Sequence, residues 1–292
     1  MIPDRILALP CWQGDVVAEP LSGGLSNEIW KVTDAAGAHV VRFGVDYPFH
    51  HVSRAREAMA SRAAHAAGFA PAVEYSAPAV MVSAFIEART WTAADVVAQP
   101  ERVANFLRKF HQTMPEYVRG EAALFWVFHV VRDYARVLAG SCHAKALPGF
   151  LALSAALEAV QVPLPIVYAH NDLLPANILD DGARLWLIDY EYAGFSTGLF
   201  DLAGAASNAG MTAEQSLILL ETYFQKPPDA GLLRAFEAMK CAALLRETMW
   251  AMVSDLHLSA PGADYGAYIR ENQTRLTTQI AAYEAHYGKL LP

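Results

Sequence analysis

The chain has 292 residues, 54 % of them hydrophobic and 18 % charged, with a formal net charge of -8. That is enough apolar material for one large domain or for two lobes sharing a cleft. The acidic balance, with no Lys/Arg-rich stripe anywhere, argues against a nucleic-acid binder and suits a cationic partner.

The first third alternates short strand patterns with turn signals. Segments 16–21 and 28–33 flank Ser22-Gly23-Gly24-Leu25-Ser26-Asn27, and Asp34 to Gly37 turns the chain into 38–43. That order predicts an antiparallel meander. A helix is expected over 53–67, with Ser53 as N-cap and Gly68 as its stop before Pro71. Strands over 72–76 and 79–85 complete a small sheet with one helix. After Arg89 helical patterns dominate, at 93–112, 124–138, 150–160, 232–258 and 268–287. A strand-and-loop region at 165–200 interrupts them. The expected architecture is α+β with two lobes: a β-rich lobe over 1–88 and a larger, mainly helical lobe over 89–292.

Cys11, Cys142 and Cys241 lie far apart with no C-x-x-C spacing, which reads as a reducing compartment without a disulfide framework or zinc site. His50-His51 adds no zinc ligand set, because adjacent side chains point to different sides. The opening residues lack the apolar core of a signal peptide. The run 122–131 is about half the length that spans a bilayer. A cytoplasmic protein without membrane insertion is the expectation.

The chemistry concentrates in Val167-Tyr-Ala-His170-Asn171-Asp172-Leu-Leu-Pro-Ala-Asn177-Ile-Leu, followed by Leu185-Trp-Leu-Ile-Asp189-Tyr190-Glu191-Tyr192. Phosphoryl transfer runs through a loose transition state, so its catalyst mostly positions groups and neutralises charge. It needs a carboxylate to orient the attacking hydroxyl and take its proton, and hard oxygen ligands for Mg²⁺. Asp172 fits the first role, and Asn177 with Asp189 the second. The kinase catalytic loop reads H-R-D-x-x-x-x-N; here the Arg is replaced by Asn171. A turn at Asp180-Asp181-Gly182 then returns the chain so that Asp189 ends a buried strand.

His-Asn-Asp-Leu-Leu-Pro-Ala-Asn and Ile-Asp-Tyr-Glu-Tyr-Ala resemble the choline/ethanolamine kinase branch of the aminoglycoside phosphotransferase superfamily, which has a protein-kinase-like fold. The likeness continues into Phe200-Asp201-Leu202-Ala203. It implies ATP and Mg²⁺ as cofactors and a small-molecule hydroxyl, cationic in this branch, as acceptor. On that template Gly23, Gly24, Ser26 and Asn27 belong to the phosphate-covering loop. Adjacent glycines let backbone N–H groups approach an anion, although a Gly-Gly pair alone is more often a plain hairpin turn. Arg42 takes the slot that protein kinases give to Lys, with Glu57 as its partner. Asp201 is expected to hold the catalytic loop by accepting backbone N–H groups, and His170 to be scaffold rather than base. Eukaryotic members of the branch are often dimeric, which leaves a homodimer open here.

The branch binds its ammonium in an aromatic cage, where ring faces and a carboxylate attract the cation. Tyr192 beside Glu191, then Trp250 and Tyr265, match cage positions; Trp250 and Tyr265 read equally as core. Two departures stand out: Glu247 replaces a second Trp, and Asn208 replaces a Glu. Glu247 and Trp250 are three apart on a helix, so Glu247 is a candidate for the missing carboxylate and favours a smaller, primary ammonium. A kinase for thiamine, a sugar or an aminoglycoside is the alternative, and a nucleotide-binding pseudokinase a further one. The pseudokinase is disfavoured because Asp172, Asn177 and Asp189 are all present. Nothing like an activation segment ending in A-P-E follows Asp189, which disfavours a protein kinase.

Overall fold

A computed structural model describes residues 2–21, 28–259 and 263–290. The phosphate-loop expectation at Gly23, Gly24, Ser26 and Asn27 lies outside the described residues. The strands that flank those residues in sequence, β1 (Val17–Leu21) and β2 (Glu28–Thr33), pair antiparallel. With β3 (Ala38–Phe43), β4 (Val73–Ala77) and β5 (Val80–Ala84) they form one antiparallel sheet in the order β1-β2-β3-β5-β4. Alternation sets the buried face: Val32, Val41 and Val82 are fully buried against Ile6, from the short helix α1 (Asp4–Leu7).

Helix α2 (Arg54–Ala66) buries Ala58, Ala60, Ala63 and Ala64, small residues that let it lie close to its neighbours. Ser53 is the N-cap residue as expected, yet its side chain makes no cap bond; Asp46 Oδ1 instead accepts from the Arg54 N–H at 2.7 Å. Gly68 follows the helix with φ +85°, a conformation that suits glycine.

The chain then enters two small sheets that carry the catalytic segment. β6 (Arg89–Thr90), β9 (Ile178–Asp180) and β10 (Leu185–Leu187) make one, in the order β10-β9-β6. β7 (Ala123–Leu124), β11 (Gly194–Thr197) and β8 (Ile166–Ala169) make the other.

The expected helix at 93–112 is two helices, α3 (Ala93–Ala98) and α4 (Pro100–Tyr117). Pro100 has no N–H to continue the ladder and pushes Gln99 out of the helical region, to φ -134° and ψ 51°. Helix α5 (Val127–Leu138) starts later than 124 because Leu124 is spent on β7, which pairs parallel with β11. Helix α6 (Leu147–Ala159) starts a little earlier than expected. Helices α7 (Gly198–Ala209) and α8 (Ala213–Phe224) were not anticipated. α7 is buried from Gly198 to Ala206, so it carries no amphipathic period to read.

Helices α9 (Ala230–His257) and α10 (Tyr265–Tyr287) are each capped by an Asp. Asp229 accepts from the Leu232 N–H and Asp264 from the Ala267 N–H, both at 2.8 Å. α9 is the hub of the helical core, with Leu245 and Met249 fully buried. Each such side chain contributes ~1.5–3 kcal/mol by leaving water. Among the described residues no helix is long and apolar enough to cross a membrane.

Candidate active site

Strand β8 delivers the loop that starts at His170, and Asp201 on α7 pins that loop from below. Asp201 is fully buried and accepts the His170 N–H on Oδ2 at 2.8 Å and the Asn171 N–H on Oδ1 at 2.7 Å. His111 on α4 donates to the same Oδ2 at 2.9 Å, and its Nδ1 accepts from Tyr223 at 2.8 Å. Burial alone would raise the pKa of Asp201, but the His111 hydrogen bond and the nearby imidazoles outweigh it and hold the carboxyl below its ordinary value. Gly198 opens α7 because a Cβ there would lie 2.3 Å from the Tyr223 hydroxyl.

His170 donates from Nε2 to the Ile188 carbonyl at 2.9 Å, and burial lowers its pKa. It is neutral scaffold. Asn171 adopts φ +63°, which Asn tolerates, and its amide donates to the Tyr192 carbonyl at 3.1 Å. It thereby ties the loop to the segment after Asp189.

Asp172 is mostly buried, and its pKa is pushed up to about 7. Burial is the main cause; Arg246 opposes it, while Glu247 and Glu191 add to it. Asn177 ends a short 3₁₀ turn and donates its amide N–H to the Asp172 carbonyl at 2.9 Å. The Ile188 N–H bonds back to the Asn177 carbonyl at 3.0 Å, bringing the Asp189 segment alongside. Asp189 sits at φ +67°, and its buried Oδ1 has no hydrogen-bond partner among the described residues. Burial raises its pKa to about 6, with Arg42 opposing. A buried carboxylate oxygen left unpartnered among the described residues, on the segment hydrogen-bonded to Asn177, fits a divalent cation that takes its other ligands from phosphate and water. Among the described residues no three His, Cys, Asp or Glu side chains group as a metal site, which that ligand set does not require.

Arg42 on β3 and Glu57 on α2 form the expected ion pair. Arg54 extends it: its Nη1 donates to Glu57 Oε2 at 2.7 Å and to Glu191 Oε2 at 2.9 Å. Arg42 Nη1 stands 4.0 Å from the same Glu191 oxygen. Glu191, expected at the acceptor, is thus tied to the arginines of the first lobe. Its pKa is pushed up to about 7 by burial and by Asp189. Arg54 was not singled out in the sequence; its position three residues before Glu57, on one helix face, was the available signal. A groove of about 620 Å³ runs between β3, α2 and the β4–β5 turn, with Arg42 and Arg54 in its lining.

The three expected aromatics, Tyr192, Trp250 and Tyr265, come together. The Trp250 indole N–H donates to the Tyr192 hydroxyl at 2.8 Å. Trp250 stacks on His50 at 5.1 Å between centroids and meets Tyr265 and Tyr268 edge-to-face at 6.4 and 6.2 Å. Burial, with Arg246 adding to it, lowers the His50 pKa to about 3, so the ring is neutral. Glu247 lies at the edge of this cluster, accepting from Tyr268 on Oε1 at 2.7 Å and from Arg246 on Oε2 at 2.9 Å. Asn208 donates to the Leu173 carbonyl at 3.1 Å and acts as a loop brace. Arg246 escaped the sequence reading: its guanidinium covers the Tyr192 ring at 4.3 Å and stands 3.6 Å from Asp172 Oδ1.

A family model for the phosphotransferase enzyme family matches residues 17–245. A probable ethanolamine kinase of Arabidopsis thaliana is 25 % identical over 276 residues, covering 80 % of this chain and 72 % of that protein. The structure of a choline/ethanolamine kinase family protein from Mesorhizobium loti superposes with a TM-score of 0.75 at 26 % identity, covering 95 % of this chain and 92 % of that one. The choline kinase LicA of Streptococcus pneumoniae, at 18 % identity, shares the fold with a TM-score of 0.75 over 96 % of this chain and 97 % of its own. With more than half its length matched, and with a kinase-like loop built around Asp172, the chain belongs to the phosphotransferase enzyme family and is an ATP-dependent small-molecule kinase similar to the choline and ethanolamine kinases.

Proposed function

We propose that the chain transfers the γ-phosphate of ATP, taken as its Mg²⁺ complex, to the hydroxyl of a small cationic amino alcohol. Residues 1–88 would hold the nucleotide, and residues 89–292 would carry the catalytic loop and the acceptor. The observation that carries the reading is the setting of Asp172. On its loop side Asn177 bonds the Asp172 carbonyl and holds the segment that carries the unpartnered oxygen of Asp189. On its α9 side Arg246 links it to Tyr192 and Glu247, which adjoin Trp250, Tyr265 and Tyr268. A charged phosphate donor suits the first side, and an ammonium beside ring faces and a carboxylate suits the second.

In this mechanism Asp172 orients the acceptor hydroxyl and takes its proton as the oxygen attacks the γ-phosphorus. The bond from that phosphorus to the β-phosphate oxygen breaks, releasing ADP and the phosphate ester. Arg42, fixed by Glu57, neutralises phosphate charge. Asn177 and Asp189 would hold the cation, which supplies further neutralisation of the phosphate oxygens. A pKa near 7 suits Asp172 to its task, because it is ionised in part of the population yet basic enough to accept a proton. The free thiols of Cys11, Cys142 and Cys241 fit a reducing, cytoplasmic setting.

The test is ADP release with ATP·Mg²⁺ across choline, ethanolamine, their N-methylated intermediates, thiamine, simple sugars and aminoglycosides, with Asp172→Ala as the blank. Turnover of an amino alcohol that the substitution abolishes is the expected result. Turnover confined to thiamine, sugars or aminoglycosides would move the acceptor to another class.

A further inference from the structure

Arg246 is the charged group beside Asp172 that the mechanism leaves unused. It is 3 % exposed, on α9. One end of its guanidinium is committed: Nη1 donates to Glu247 at 2.9 Å and faces Asp172 at 3.6 Å. Its flat face rests on Tyr192. Nε and Nη2 are buried and have no hydrogen-bond partner among the described residues. These two N–H groups point the same way in the guanidinium plane and make its side-on fork, whose spacing matches the two oxygens of a carboxylate. A charged donor buried without a partner is costly, so a fork left unpartnered next to Asp172 favours a ligand group that reaches it when the acceptor enters.

Chemistry narrows that group. Asp172 and Glu247 already place carboxyl groups at the Nη1 end of this guanidinium, so a singly charged, planar carboxylate is repelled less than a dianionic phosphate. Glu247 keeps lone pairs for another donor, since each of its oxygens accepts one hydrogen bond.

We infer that the side-on fork of Arg246 binds a carboxylate on the acceptor, which makes the acceptor a small hydroxy acid. The inference rests on the reading of the Asp172 side as the acceptor site. Combined with the amino-alcohol proposal it names a zwitterion, a short-chain hydroxy amino acid. Its hydroxyl meets Asp172, its carboxylate meets Arg246, and its ammonium meets Glu247 and the rings of Trp250 and Tyr265. Arg246 is then a specificity residue that separates such acids from the bare amino alcohols.

The experiment compares acceptors that differ only in the carboxylate, using the full chain with saturating ATP·Mg²⁺. The pairs are serine against ethanolamine and homoserine against 3-aminopropanol, with serine amide as the uncharged control. In the unaltered protein the acid should win each pair in kcat/KM by roughly 10- to 100-fold, the worth of a charge-assisted contact. In Arg246→Gln that ratio should fall toward one, through a rise in KM for the acid and with KM for ATP retained. Arg246→Lys should restore only part of it, because an ammonium lacks the fork. If the glutamine variant does not fold, the ratios in the unaltered protein decide alone. Equal or better turnover of the bare amino alcohols and the amide would overturn the inference and leave the amino-alcohol reading standing. Turnover of hydroxy acids without an amine, such as glycerate, lost in Arg246→Gln, would uphold the fork and overturn the amino-alcohol reading. Turnover of sugars or thiamine alone would overturn both.

Discussion

A single nitrogen, Nη1 of Arg54, donates to Glu57 at 2.7 Å and to Glu191 at 2.9 Å, bridging 137 residues of sequence in the second bond. The first carboxylate positions the phosphate-binding Arg42 in the proposed mechanism, and the second lies two residues past Asp189. Arg54 therefore couples the helix of the first lobe to the segment proposed to bind Mg²⁺. Removing it leaves two buried carboxylates that, among the described residues, have Arg42 as their shared arginine.

Arg54→Ala should cost about 3 kcal/mol of stability, as expected when one partner of a mostly buried ion network is lost. It should also raise KM for ATP, because Glu57 and Arg42 lose their anchor. Thermal melts and ATP titrations check the two parts. A variant with ordinary nucleotide affinity would reduce Arg54 to a surface contact.

Gly198→Ala tests the brace under the catalytic loop without touching the loop. The new Cβ would lie 2.3 Å from the Tyr223 hydroxyl and 3.1 Å from His111 Nδ1, so Tyr223 must move and His111 loses its second hydrogen bond. Asp201, which His111 orients, holds the backbone on either side of the His170–Asn171 peptide. The expected outcome is ~1–3 kcal/mol of destabilisation, together with a drop in kcat and a near-normal KM for ATP. Denaturant melts and steady-state kinetics read the two effects separately.

The pKa of Asp172, near 7 in the folded chain against 3.8 for a free Asp, has a sign that can be tested. Between those values the folded chain holds a proton that the unfolded chain has released. Stability therefore falls as pH rises through this window. Asp172→Asn removes the burden, so in the absence of nucleotide and Mg²⁺ it should stabilise the chain. The gain should be ~2–3 kcal/mol larger at pH 7.5 than at pH 5. Paired urea melts at the two pH values measure it, and a gain that does not grow with pH contradicts the assignment. The same value predicts that kcat/KM climbs with pH up to about 7 in the unaltered protein.

The catalytic segment was legible because its parts are close in sequence. Asp172, Asn177 and Asp189 fall within one strand-loop-strand stretch, where spacing alone fixes which side chains meet. The two-lobe α+β architecture was legible for a similar reason, since the sheet of the first lobe is built mostly from sequential hairpins. What sequence reading lost depends on long-range partners. Arg54 and Arg246 look like ordinary helix charges until the fold buries them against Glu191 and Asp172. Helix α7, all Ala, Gly and apolar residues apart from Asp201 over its buried part, has no polar face to set a period. The start of α8 was readable in the Thr212-to-Gln215 capping box, and the break at Pro100 in the proline itself.

Trp250 separates the two roles that the sequence left open for it, wall of an ammonium site or plain core. It is 8 % exposed and is held by Tyr192, His50, Tyr265 and Tyr268, so both roles draw on the same packing. Trp250→Phe keeps a ring but removes the indole N–H that fixes the Tyr192 hydroxyl, and it offers a weaker face to a cation. A core role predicts only a lower melting temperature, with KM for both substrates unchanged. The acceptor-wall role predicts a selective loss: KM for the amino-alcohol acceptor should rise about 5- to 10-fold, the worth of one cation–π contact, while KM for ATP holds. Measuring both KM values on one preparation, beside its melting curve, assigns the residue, because general loosening of α9 would disturb the two substrates together.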